Sequence, residues 1–184
     1  MGSNISTAMD NELLQGSVDD ETFSKGVVQY RERIFLVLLR FVRNREDAKD
    51  LVQETFVRAY RSRASFRGHS SLYTWIYRIA VNLALNYKSR NKISSLSSLE
   101  DNSDIASNDN PGGSIENAEL GRQIEQAIAE LPARQRMVFI LRYYEEKPHA
   151  EIAEMLGISE GAIRANYHQA IKKLKNELTP YVRE

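Results

Sequence analysis

The chain has 184 residues, with 25 Lys plus Arg balancing 25 Asp plus Glu and 42% apolar side chains, a composition that excludes disordered and fibrous classes. It has no cysteine, and its three histidines, His69, His149 and His168, lack ligand-like spacing; disulfide frameworks, thiolate zinc sites and cysteine nucleophiles are excluded, and no metal or cofactor is expected. No apolar run approaches the roughly 20 residues of a membrane span and no signal peptide opens the chain, so the reading is a cytoplasmic protein of one medium or two small domains.

In chain order, Phe23, Val27, Tyr30, Ile34 and Leu38 recur at spacings of three and four, which predicts a helix over about residues 20–42 with one apolar face. A second helix is expected over about 46–60, with Leu51, Val52, Thr55, Phe56 and Ala59 inward. Its polar side carries Asp47, Asp50, Gln53, Glu54 and Arg58. Spacings of three and four set these groups side by side. No histidine, glycine-rich loop or second acidic cluster accompanies them, so a catalytic carboxylate site is not expected. The stripe reads as a docking face for a basic partner or as an ordinary solvated face.

The loop SRASFRGHSS follows, with Gly68 as its breaker and Ser70 or Ser71 as N-cap of a third helix over about 72–91. On that helix Leu72, Ile76, Ile79 and Leu83 form the core stripe. Thr74, Arg78, Val81 and Leu85 lie roughly opposite. Trp75 falls close to the stripe and reads as core. Tyr73 and Tyr77 share a flank that a three-helix core leaves with an exposed edge, and packing does not readily account for Phe66, flanked by Arg67 and Gly68.

Charge is segregated here. Residues 55–92 carry eight basic side chains and no acid, whereas residues 93–119 carry six acids and no Lys or Arg. Aromatic faces, arginines and the absence of carboxylates suit unpaired nucleic acid: bases stack on rings at roughly 1–3 kcal/mol each, and phosphates pair with guanidinium groups. Asn82, on the side of Arg78, suits either a base edge or a loop cap.

The Ser-, Asn-, Asp- and Gly-rich segment over residues 93–115 reads as a flexible acidic linker. It divides the chain into units over 19–92 and 116–180. The second unit is expected to hold helices over about 116–130, 133–144, 149–156 and 160–178. In HAEIAEMLGISEGAIRANYHQAIKKL, Ala153 permits a close crossing and Gly157 a tight turn, while Ile152, Leu156, Ile158 and Ile163 supply buried contacts. That pattern is a helix-turn-helix, whose second helix is presented to a DNA major groove. On that helix Arg164, Asn166, His168, Gln169, Lys172 and Lys173 face outward; Arg, Asn and Gln are the side chains that bond guanine and adenine edges in pairs.

The run DAKDLVQETFVRAYRSRASFRGHSSLYTWIYRIAVNLALNYKSRNK resembles region 2 of the extracytoplasmic-function (ECF) sigma factors of bacterial RNA polymerase. The run ELPARQRMVFILRYYEEKPHAEIAEMLGISEGAIRANYHQAIKKL resembles their region 4. The resemblance implies an all-α fold of two small helical domains, a three-helix region 2 and a four-helix region 4 with its helix-turn-helix. It implies that Asp47, Asp50, Gln53 and Glu54 dock on the clamp helices of the largest subunit of core RNA polymerase, and that the flap of the second-largest subunit is a further contact. Phe66, Arg67, Gly68, His69, Ser70 and Asn82, with Tyr73, Tyr77 and Arg78 beside them, then match the capture of an unpaired base of the −10 element. Ser159, Glu160, Arg164, Asn166, His168, Gln169, Lys172 and Lys173 are the −35 contacts on duplex promoter DNA. The acidic linker is expected in a polymerase channel, and an anti-sigma protein is expected to cover both domains. The recognition helix departs from the family: two customary arginines are replaced by Asn166 and Gln169, which weakens non-specific affinity through fewer phosphate contacts. A free-standing regulator binding duplex DNA through the second unit alone, and a protein-interaction adaptor, are the rival readings. The first gives no role to Phe66 or the acid-free block; in the second the polar helix binds partners and the DNA motif is vestigial.

Overall fold

The computed structural model describes residues 19–94 and 115–179. Seven α-helices follow in order: α1 (Asp20–Val42), α2 (Arg45–Ser62), α3 (Leu72–Ser94), α4 (Ile115–Glu130), α5 (Ala133–Tyr143), α6 (His149–Leu156) and α7 (Glu160–Leu178), with a 3₁₀ turn at Arg63–Ser65 after α2. The fold is all-α, as expected. Apart from its helical ends at residues 93, 94 and 115, the expected linker lies outside the described residues. Among the described residues, no helix is long and apolar enough to cross a membrane.

Local chemistry sets the helix ends. The Asp19 carboxylate accepts from the Thr22 amide at 2.7 Å and begins α1, and Asn44 accepts from Glu46 and Asp47 at 2.9 and 3.0 Å to begin α2. Ser71, the second of the two expected caps, accepts from the Thr74 amide at 3.1 Å. Each cap satisfies amides that a helix N-terminus otherwise leaves unpaired, for about 1 kcal/mol. Gly157 ends α6 at φ 64°, its amide bonded to the Ala153 carbonyl, and Ser159 caps α7 from its side chain to the Ala162 amide at 3.2 Å.

The first unit packs α1, α2 and α3 against one another, and α6 and α7 form the expected helix-turn-helix on α5. The two units also share one apolar core. Ile34, Leu38, Phe41, Leu72, Ile76 and Tyr77 of the first unit are continuous with Met137, Ile140, Leu141, Ile152, Met155 and Ile163 of the second. Helix α3 lies between α1 and α2 on one side and α5 and α6 on the other. Thr74 and Val81, expected opposite the core stripe, are therefore buried. A second, smaller cluster, built on Ile128, Leu131, Phe139 and Leu174, holds α4 to α5 and α7.

Two glycines in helix interiors stand in opposite surroundings. A Cβ on Gly26 would lie 3.0 Å from Leu72 Cδ2 at the α1–α3 crossing, whereas one on Gly121 would meet nothing within 4 Å. Gly26→Val should destabilise by about 1–3 kcal/mol through overpacking, and Gly121→Ala should stabilise by up to about 1 kcal/mol through helix propensity; chemical denaturation of both variants checks the contrast. Gly157→Ala should cost about 1–2 kcal/mol, because an L side chain in the left-handed region strains the backbone. The Cβ would meet the Arg78 guanidinium only at ordinary contact distance, 3.4 Å, so the loss is one of backbone strain, to be read in thermal unfolding of the whole chain.

Candidate nucleic-acid interface and docking face

The residues expected to dock on polymerase divide between two surfaces. Asp50 and Gln53 are exposed, and Asp47 and Glu54 half-exposed. Glu54 pairs with Arg58 at 2.5 Å, so the acidic stripe carries one cation of its own. Gln53 lines a groove between α1 and α2 whose walls include Val28, Phe35, Val52, Phe56 and Tyr60. Val28 is 82% exposed and Tyr60 44%. The rim is basic, with Arg31, Arg45, Lys49 and Arg61 against Glu32. Sequence periodicity missed this groove; its one signal was Val28, an apolar residue off the core face of α1.

The −10 residues divide further. Arg67, His69 and Asn82 are exposed, and Gly68 and Ser70 half-exposed, with Gly68 at φ 69° where the loop turns. All five are open to solvent to some degree, four in the loop and Asn82 on α3. Phe66 does not join it: it is 4% exposed and meets Trp75 edge to face at 5.4 Å. Its ring serves packing, while Trp75, expected in the core, is half-exposed beside it. The reason is geometric: the 3₁₀ turn at Arg63–Ser65, tied by Arg63 to Asp20 at 3.0 Å, folds the start of the loop back onto the unit.

Tyr73 and Tyr77 are buried as well, correcting the expectation of an exposed edge. Tyr73 meets Tyr30 edge to face at 5.1 Å, and Tyr77 lies tilted against Tyr73 at 4.3 Å. The Lys147 ammonium of the second unit sits 4.3 Å from the centre of the Tyr73 ring. Burial pushes the Tyr73 hydroxyl up to about 12 and the Tyr77 hydroxyl upward too, so both stay protonated. Arg78 keeps an exposed side chain but reaches the Gly157 turn. The second unit thus covers the tyrosine face and leaves the Arg67–His69 loop and Asn82 open.

On the helix-turn-helix, Arg164, His168, Gln169, Lys172 and Lys173 are exposed on α7. Glu160 holds Arg164 at 2.5 Å, one turn along. Asn166 is half-buried and donates one amide N–H to the Ala162 carbonyl at 2.7 Å, which leaves its second N–H and its oxygen for a ligand. Ser159 is occupied as the N-cap of α7. Among the described residues no cluster of three or more His, Asp or Glu side chains is arranged to hold a metal ion.

Residues that sequence reasoning did not single out line the junction of the two units. Arg136 is 4% exposed. It donates to the Phe41 carbonyl at the end of α1, at 2.9 Å, and to the carbonyls of Ala129 and Leu131 at the end of α4. Burial pulls its guanidinium down to about 10, with Arg43 adding repulsion, and it stays charged at neutral pH. Arg33 pairs with the nearly buried Glu145 at 3.5 Å, and Arg40 lies 4.5 Å from the centre of the Tyr144 ring. The available signal was an arginine directly before the apolar run Met137–Leu141, an unusual place for a cation.

Residues 27–93 match the sigma-70 region 2 family and residues 121–174 the sigma-70 region 4 family. The chain is 33% identical over 171 residues to the ECF RNA polymerase sigma-E factor of Haemophilus influenzae, covering 88% of this chain and 90% of that protein. It is 32% identical over 175 residues to the RNA polymerase sigma-H factor of Pseudomonas aeruginosa, covering 90% and 91%. Its fold is similar to that of the sigma factor RpoE of Bartonella quintana, solved with the anti-sigma factor NepR, at a TM-score of 0.68 and 21% identity over 88% of this chain and 98% of that one. It is also similar to CnrH, solved with the cytosolic domain of CnrY, at 0.66 and 18% over 96% and 99%. With both regions matched in order, and relatives a third identical along nine-tenths of its length, this chain belongs to the ECF sigma factors of RNA polymerase.

Proposed function

We propose that the chain binds core RNA polymerase and gives it promoter specificity, reading the −35 element as duplex through α7 and holding an unpaired base of the −10 element at the Arg67–His69 loop and Asn82. One observation carries this reading: relatives named as RNA polymerase sigma factors align along nine-tenths of the chain, through both regions. The exposed faces support it. A helix-turn-helix whose outward side chains are cationic or amide-bearing suits a major groove, and an exposed acid-free loop suits a strand whose backbone repels carboxylates. Captured bases offset the few kcal/mol of unstacking that strand separation costs. The chain is an initiation factor that lends selectivity to an enzyme in the cytoplasm, where the polymerase works.

The acidic stripe of α2, with Gln53 leading into the neighbouring groove, is the contact for the clamp helices, and the second unit meets the flap. The units span residues 19–92 and 116–180, with residues 93–115 as an acidic tether in a polymerase channel. The sigma factor RpoE, of similar fold, has been solved with an anti-sigma factor, which supports an anti-sigma protein as a further partner here.

Phe66 is a poor probe of base capture, since truncating a buried Phe costs about 3–5 kcal/mol of stability by itself. Asn82 is exposed and avoids that problem. Asn82→Ala should slow promoter opening by about tenfold or more, the loss of one base contact, while polymerase binding is unchanged; potassium permanganate footprinting and native gels measure the two separately. Reversing Asp50 and Glu54 together to Lys should weaken association with core polymerase by about 100-fold, because like charges then face the docking partner. Fluorescence anisotropy with labelled chain and purified core measures that loss, and an unchanged circular dichroism spectrum excludes unfolding. Run-off transcription from genomic fragments tests the whole reading.

A further inference from the structure

The groove between α1 and α2 has apolar walls that nothing among the described residues covers. Helix α2 runs back along α1. Phe23 meets Tyr60 edge to face at 5.6 Å and Arg63 pairs with Asp20 at 3.0 Å where α1 begins, while Arg45 lies 5.5 Å from the centre of the Phe35 ring towards the other end. The groove therefore opens beside the start of α1. At that end Val28 and Tyr60, 82% and 44% exposed, form its apolar wall, with Arg31 and Arg61 on the rim. An exposed apolar surface rimmed by charge marks an interaction site.

We propose that the occupant of this groove is the chain's own N-terminal segment, with Leu13 and Leu14 set against Val28 and Tyr60 and with Asp10 and Glu12 against the basic rim, and that it competes there with the docking partner of α2. Residues 1–18 lie outside the described residues; they contain Asp10 and Glu12 and no Lys or Arg, a charge opposite to that of the rim. The length of chain also suits. Val28 stands about 13 Å along the helix axis from Asp19 at 1.5 Å per residue, and the stretch from Leu14 to Asp19 spans up to about 17 Å, with Gly16 and Ser17 as turn-forming residues between them. A tether this short holds the leucines at an effective concentration of about 1 mM. A contact as weak as about 0.1 mM then fills the groove in roughly nine chains of ten. Gln53 lines the same groove, so a segment seated there overlaps the docking face. That competition rests on the polymerase reading; the occupancy does not.

The chain has no cysteine, so Asn11→Cys can carry a single nitroxide label beside the two leucines. In the full-length chain with isotope-labelled valine methyls, paramagnetic broadening should fall on Val28, Val52 and Val57 of the groove and spare Val138, buried in the second unit. Leu13→Ser together with Leu14→Ser keeps the tether and removes the anchors. Broadening in the groove should then drop severalfold. The same double variant should bind core polymerase about tenfold more tightly, the gain expected when a face free in one chain of ten becomes free in all.

Groove valines that stay sharp in the intact chain, or that broaden equally in the double variant, overturn the proposal. So does broadening that reaches the groove from a spin-labelled chain mixed with a separately isotope-labelled one, which makes a second copy the occupant. Association with core polymerase keeps the two readings apart. If the wild-type chain binds no core polymerase while the broadening behaves as stated, the polymerase reading falls and the occupancy stands. If it binds and the double variant binds no more tightly, the competition is overturned; if it binds while the groove valines stay sharp, the occupancy falls alone.

Discussion

Everything in this molecule is arranged around a helix that cannot be left half-covered. Along α3, Leu72, Tyr73, Thr74, Ile76, Tyr77, Ala80, Val81 and Ala84 are all buried, and they span most of the helix circumference. A three-helix unit supplies cover from two neighbours, which meets the needs of one side. Fully burying a large apolar side chain is worth about 1.5–3 kcal/mol, so a second side left in water forfeits several of these gains. The second unit provides that cover by laying α5 and α6 on α3. The position of the helix-turn-helix in the free chain thus follows from the composition of a helix in the other unit.

The buried cation at the junction obeys the same economy of partners. An unpaired charge in an apolar interior costs several kcal/mol, and Arg136 has no carboxylate at hand. Its two terminal nitrogens donate instead to carbonyls at the ends of two helices, α1 and α4, one from each unit. The last carbonyls of a helix lack intrahelical partners and carry the negative end of its dipole, so a guanidinium fork between two such ends resolves three shortages at once. On separation, Phe41 loses a donor that water can replace, while Arg136 keeps its bonds within its own unit. The contact therefore fixes the register of the closed form without tying its parts permanently.

Much of this was legible beforehand, and the failures share one cause. The bounds of α1, α6 and α7 follow from periodicity and breakers such as Gly157, because these signals are local. The helix-turn-helix and the open faces of α2 and α7 were legible for the same reason. Phe66 and Trp75 exchanged places because the loop between α2 and α3 folds back through a 3₁₀ turn that no spacing rule anticipates. Tyr73 and Tyr77 were correctly seen as more than a three-helix core can absorb; the cover came from residues about 60–80 positions further along the chain, beyond any window of periodicity. Gln53 belongs with the groove rather than with the acidic stripe because its neighbour across the gap is α1, and sequence spacing on α2 is silent about that.

Interfaces between domains of one chain resemble transient protein–protein contacts, and here Arg33 and Tyr144 mix exposure with contact. Holding a closed form at 99 parts to 1 takes a net preference of about 2.7 kcal/mol, roughly what one well-buried side chain provides. Reversing that ratio takes a partner that favours the open form by about 5.5 kcal/mol.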